Sequence, residues 1–84
     1  MNNKVLVLLY VPILEKKYEV FLPSNRRIGE ICSMLAKGLV EVSNDYYQVT
    51  NKEHLYSRVN GVIYDEKQLL KNTNIRNGSR LILM

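Results

Sequence analysis

Apolar and polar positions divide the chain into segments of different period. Val5-Leu6-Val7-Leu8-Leu9-Tyr10-Val11 is an unbroken apolar run, rich in β-branched and aromatic residues and closed by Pro12. Its length and composition predict a central strand with large side chains on both faces. After a turn over Pro12 to Lys17, Tyr18, Val20 and Leu22 alternate with Glu19 and Phe21 and stop at Pro23-Ser24-Asn25. This predicts a second strand that hairpins onto the first. From Arg26 to about Val42, the positions Ile28, Ile31, Cys32, Leu35, Leu39 and Val42 recur at intervals of three and four, one buried stripe on a helix. Ser24 or Asn25 is the expected N-cap. Gly29 and Gly38 each cost roughly 1 kcal/mol against Ala in a helix interior, and predict fraying after Lys37. Arg26 and Arg27 in the first turn oppose the helix dipole and point to an anionic partner.

Residues 43–54 are polar, carry no period and read as a loop in which Tyr46 and Tyr47 need an anchor. Next, Leu55–Val59 and Val62–Tyr64 flank Asn60-Gly61, the strongest short hairpin signal, and a two-residue turn there needs positive φ at both positions. Asp65 to Lys71 holds one helical turn with Leu69 and Leu70 inward. Asn77-Gly78 marks a second tight turn, and Arg80–Met84 reads as a final strand. The order is ββαβββ, an α+β fold. A mixed sheet over a single helix, the β-grasp arrangement, satisfies the short connections such an order requires.

Length and composition narrow the function. Eighty-four residues leave room for one domain, 1–84. With 46% hydrophobic and 24% charged residues the chain lies in the globular range. A chain of this size buries only about 60–65% of its unfolded surface, so an internal cofactor cavity would consume much of the core, which weighs against an enzyme. One cysteine excludes an intramolecular disulfide and a Cys-based zinc cage, and fits the reducing cytoplasm. Lys4 and the run after it imitate a signal peptide, but Glu15-Lys16-Lys17-Tyr18-Glu19 follows without a small-residue cleavage site. The run is also far short of the roughly 20 residues that span a bilayer. The expectation is a soluble cytoplasmic protein without membrane insertion.

No constellation of catalytic residues can be assembled. Cys32 lies on the apolar stripe, where burial makes a thiol inert. His54 has no ligand-spaced His or Cys companion, so no metal site is expected. Asp65 and Glu66 read as a turn and cap rather than an acid/base pair. Neither a glycine-rich phosphate loop nor a Ser/His/Asp set is present, and the expectation is a non-enzymatic protein without a cofactor. The net charge of +4 is scattered, with its densest stretch at Lys71, Arg76 and Arg80. Tyrosines 10, 18, 46, 47, 56 and 64 interleave with these cations, as in a platform for single-stranded nucleic acid. Four of the six fall in predicted strands, where β-propensity alone favours tyrosine, so nucleic-acid binding is the weaker reading.

Asn60-Gly61-Val62-Ile63-Tyr64, the leucines at 69 and 70, and Ile75-Arg76-Asn77-Gly78-Ser79-Arg80-Leu81-Ile82-Leu83 resemble the carboxy-terminal half of ubiquitin-like proteins. They look most like the small component of bacterial type VII (WXG100) secretion systems, the YukD/EsaB type. The resemblance covers the whole chain in element order and is specific over residues 58–84. It implies a non-catalytic accessory or regulatory subunit whose partners are proteins, including membrane-bound secretion components. A covalent modifier or sulfur carrier of the same fold would end in Gly-Gly, which this sequence lacks, so conjugation is not expected.

Counting faces locates the docking surface. The first strand presents Val5, Val7, Leu9 and Val11 to one side and Leu6, Leu8 and Tyr10 to the other; the last opposes Leu81 and Leu83 to Ile82 and Met84. One helix covers one face, so apolar side chains remain on the second. The expected site is Leu6, Leu8, Tyr10 and Ile82 with Arg58 and Arg80 at its rim, meeting a secretion partner or a second copy as a homodimer, unless the 43–54 loop folds over it.

Overall fold

The computed structural model describes residues 3–84. Strand β1 (Lys4–Val11) is followed by a 3₁₀ turn at Pro12–Leu14 and by β2 (Lys16–Pro23). Helix α1 spans Ile28–Val42, β3 Leu55–Ser57 and β4 Arg80–Leu83, with a second 3₁₀ turn at Leu70–Asn72. The sheet order is β2-β1-β4-β3. β1 is antiparallel to β2 and parallel to β4, and β3 is antiparallel to β4. The near-continuous apolar run of this central strand supplies both of its faces, Val7, Leu9 and Val11 toward α1 and Leu6, Leu8 and Tyr10 away from it. One face packs on α1: Val7, Leu9, Val11, Leu22, Leu55, Leu81 and Leu83 meet Ile28, Ile31, Cys32, Ala36 and Leu39. Tyr18 and Val20 pack against the same cluster, as the alternation in β2 predicts.

The helix starts two residues later than its pattern suggests, and neither Ser24 nor Asn25 caps it. Arg27 holds the N-cap position, while the Ser24 N–H and hydroxyl both donate to the Asn3 carbonyl. The orphan donors are met from a distant segment instead. Ile28 N–H donates to the Gln68 carbonyl and Gly29 N–H to that of Glu66, each at 2.9 Å. Arg27 bridges Leu69, and Leu70 N–H returns to the Arg26 carbonyl. A Cβ on Gly29 would stand 3.3 Å from the Glu66 oxygen, so glycine here permits the close approach that caps the helix. Arg26 is less opposed to the dipole than its position implies. Its guanidinium lies 3.6 Å from Glu30, whose carboxylate sits in the first turn and also accepts from Arg27 N–H. Gly38 does not fray the helix, which continues to Val42.

The strand expected at Val62–Tyr64, fourth in chain order, shrinks to one bridge, Ile63 to Tyr56, because the turn before it is wider than two residues. Ser57 N–H donates to the Val62 carbonyl and Gly61 N–H to that of Ser57, while Arg58 N–H is drawn across to Arg80 on β4. Of Asn60 and Gly61, only Gly61 has positive φ, 74°. Asn60 instead accepts from Val62 N–H through its side chain, the local turn that Asn readily forms. Of the expected 65–71 turn, the 3₁₀ segment forms at Leu70–Asn72, Leu70 is buried, and Asp65 Oδ1 accepts from Lys67 N–H.

Candidate docking surface

Strand register fixes the order of side chains on the face turned away from α1. Phe21 lies opposite Leu6, Glu19 opposite Leu8, and Leu8 beside Arg80. Lys17, Tyr10, Ile82 and Tyr56 form the next row across all strands, and Ile63 extends it through its bridge to Tyr56. Leu6, Tyr10 and Ile82 are half-buried by their neighbours, Leu8 is 37% exposed and Phe21 61%. Because β1 and β4 adjoin, the apolar residues of both strands form one surface.

Arg58 and Arg80 flank it. The Arg58 guanidinium carbon stands 5.0 Å from the centre of the Tyr10 ring, a cation–π contact. Leu8, Lys17, Arg58, Val59 and Arg80 line an open cleft of about 520 Å³ that no acidic residue enters. Among the described residues the ion pair found is Arg26–Glu30, so Lys17, Arg58 and Arg80 form no ion pair there, and the nearest acidic position along the strands is Glu19, opposite Leu8. The arrangement offers an apolar floor and cationic walls, suited to apolar side chains flanked by carboxylates. It suits stacked bases poorly, since Arg58 covers Tyr10 and the half-buried Tyr56 makes an edge contact with His54 at 6.4 Å.

The six residues predicted for the site, Leu6, Leu8, Tyr10, Arg58, Arg80 and Ile82, thus lie together. Sequence reading omitted Lys17, Phe21, Tyr56 and Ile63. The alternation of β2 that sends Tyr18, Val20 and Leu22 inward already sends Lys17 and Phe21 outward. Tyr56 and Ile63 depend on a pairing that the turn made ambiguous.

The 43–54 loop leaves this face open. Tyr47 is buried in the core cluster on the helix side, its N–H donating to Ser43 Oγ and its hydroxyl to Glu53 Oε2. The same oxygen accepts from the N–H and hydroxyl of Thr50, so Glu53 clasps the loop. Burial pushes the Tyr47 hydroxyl up to about 12, with help from its bond to Glu53. Burial also opposes ionisation of Glu53, but the hydrogen bonds it accepts from Thr50 and Tyr47 outweigh this and hold it below its ordinary 4.5. Tyr46, by contrast, is exposed. The Cys32 thiol is pushed up to about 11, chiefly by burial and then by the charges of Glu53 and Glu66, which leaves it a core side chain rather than a nucleophile. Among the described residues no group of three or more His, Cys, Asp or Glu is placed to hold a metal ion. No helix there is long and apolar enough to cross a membrane.

No protein-family model matches the chain, and no curated relative is found. Solved structures do match. The EccD5 ubiquitin-like domain of Mycobacterium xenopi superposes with a TM-score of 0.79 at 16% identity over 99% of this chain and 94% of its own. The ubiquitin-like domain of the Mycobacterium tuberculosis type VII secretion protein EccD1 gives 0.77 at 15% identity over 99% and 98%. The fold is a ubiquitin-like β-grasp. A chain of the toluene 4-monooxygenase HD complex reaches 0.79 at 6% identity over 95% of each chain. The ubiquitin-like architecture therefore serves different tasks, and function must be argued from the surface this chain presents.

Proposed function

We propose that residues 1–84 form one ubiquitin-like interaction unit that acts by docking, as a cytoplasmic accessory or regulatory subunit of a type VII secretion system of the YukD/EsaB type. The observation that carries the docking is the open sheet face, where Leu6, Leu8, Tyr10 and Ile82 adjoin a cleft walled by Lys17, Arg58 and Arg80. Contiguous apolar surface framed by like charges marks a contact for a complementary partner. The secretion assignment is supported by the resemblance of residues 58–84 and by the structural likeness to EccD1, a type VII secretion protein. Attachment is non-covalent in this reading. Leu81 and Leu83 are buried and Met84 is tied to His54 by two backbone bonds of 2.8 and 3.1 Å, so this segment is held in the sheet. Affinity capture of the tagged protein from its own cells, with mass-spectrometric identification, tests the reading. Secretion-system components should be retained without a covalent adduct. Their absence, or an adduct through the chain's carboxyl end, would refute it.

A further inference from the structure

The long edge of the sheet carries a second, independent signal. β2 is an edge strand, and the direction of its backbone groups follows from β1. Leu6 N–H donates to Asn77 Oδ1 and Leu8 N–H to the Ser79 carbonyl, both on the β4 side. Alternate residues Val5, Val7 and Leu9 therefore bond to β2, through Leu22, Val20 and Tyr18. Lys17, Glu19 and Phe21 are left with their N–H and C=O groups pointing outward, a template for another strand.

Beside this edge, β2 and α1 enclose an open groove of about 170 Å³ lined by Tyr18, Val20, Met34, Gly38 and Val42. Met34 is 55% and Val42 63% exposed. Gly38 lies inside the helix, where glycine is unfavourable, yet a Cβ there would meet nothing within 4 Å. No contact inside the described chain calls for a glycine at this position, and its lack of a side chain leaves room for a close neighbour.

We infer that this edge pairs with the same edge of a second copy, antiparallel, with Lys17 opposite Glu19 of the other copy. The register is selected by chemistry. Hydrogen-bonded pairs must join residues from the outward set. Setting Glu19 against itself places like charges directly opposite, which destabilises a sheet. Setting Glu19 against Phe21 brings Lys17 opposite Pro23, which has no N–H to give. Lys17 against Glu19 gives an opposite-charge pair on each side of the twofold axis. Tyr18 then meets Tyr18 on the inner side, at the grooves flanked by Met34, Gly38 and Val42. The opposite charges of Lys17 and Glu19 thus match the antiparallel copy of the same edge. The groove lies on the opposite side of the sheet from the docking face, while the Lys17 and Glu19 side chains lie along the border of that face, opposite Tyr10 and Leu8.

Sedimentation equilibrium of the full chain tests it, with circular dichroism confirming that each variant is folded. The wild type should show a monomer–dimer equilibrium. Glu19→Lys should weaken the dimer about tenfold, the sum of two reversed cross-strand charge pairs. Lys17→Glu combined with Glu19→Lys should restore it. Glu19→Pro removes an outward N–H without touching the ladder to β1 and should abolish dimerisation while the monomer stays folded. Leu8→Glu, on the open face, should leave the dimer intact. A wild type that remains monomeric at millimolar concentration, a charge swap that fails to restore association, or a dimer lost with Leu8→Glu would each overturn the inference.

Discussion

Leu8 and Leu9 are neighbours of the same type with opposite surroundings, and replacing each in turn tests the sheet's orientation. Leu9 is 1% exposed within the cluster formed with α1, whereas Leu8 is 37% exposed on the open face. Leu9→Ala leaves a cavity among Val7, Val11, Leu81 and the helix, with an expected loss of about 3 kcal/mol. At Leu8 water fills the space that Ala leaves, and only partial burial is lost, about 1 kcal/mol. A chain of this length has a total stability of about 4–13 kcal/mol, so the first loss is large and the second tolerable. At about 4–8 °C per kcal/mol, Leu9→Ala should lower the melting midpoint by about 12–24 °C and Leu8→Ala by about 4–8 °C. The glutamates sharpen the contrast. Leu9→Glu places a carboxylate in the core and should unfold the protein, while Leu8→Glu should remain folded. Thermal melts followed by circular dichroism are sufficient. Equal losses for the two alanines, or a larger loss at Leu8, would refute the assignment of faces.

Glu53 titrates below its ordinary 4.5 in the folded protein, so its contribution is complete above that value and disappears as pH falls through the folded value. Glu53→Gln should therefore show a smaller drop in melting midpoint between pH 7 and pH 3 than the wild type, and an equal drop would contradict the clasp. Gly29→Val, with a branched side chain driven at the Glu66 carbonyl that caps α1, should cost about 2 kcal/mol; an unchanged chemical-denaturation midpoint would show that the capping segment yields freely. Gly61 has φ 74° with open space around it, so Gly61→Ala should lose about 1 kcal/mol from backbone conformation alone. Gly61→Asn should lose less, and melts in which alanine is neutral would exclude the left-handed turn.

Legibility in the sequence followed how local the physics was. β1, β2 and α1 were readable because each carries its own period: the unbroken run at Val5–Val11, the alternation at Tyr18–Leu22, and the three-and-four stripe through Leu39. The helix start was not, since its cap comes from carbonyls at 66 and 68, a contact no local pattern encodes. Asn60-Gly61 marked a reversal correctly but not its width, because the capture of Arg58 N–H by Arg80 is a cross-strand effect. The six site residues could be placed on one surface by parity and strand adjacency. Which parity faced the helix was decided by packing, and the openness of the face depended on Tyr47 finding its anchor at Glu53 and Ser43.

A photo-crosslinking amino acid at position 8, compared with one at Lys37 on the exposed side of α1, tests the docking face most directly. Irradiation in the native cells should give a covalent adduct between position 8 and a secretion-system protein, and none from position 37. Adducts from position 37 with none from position 8 would contradict docking through the open sheet.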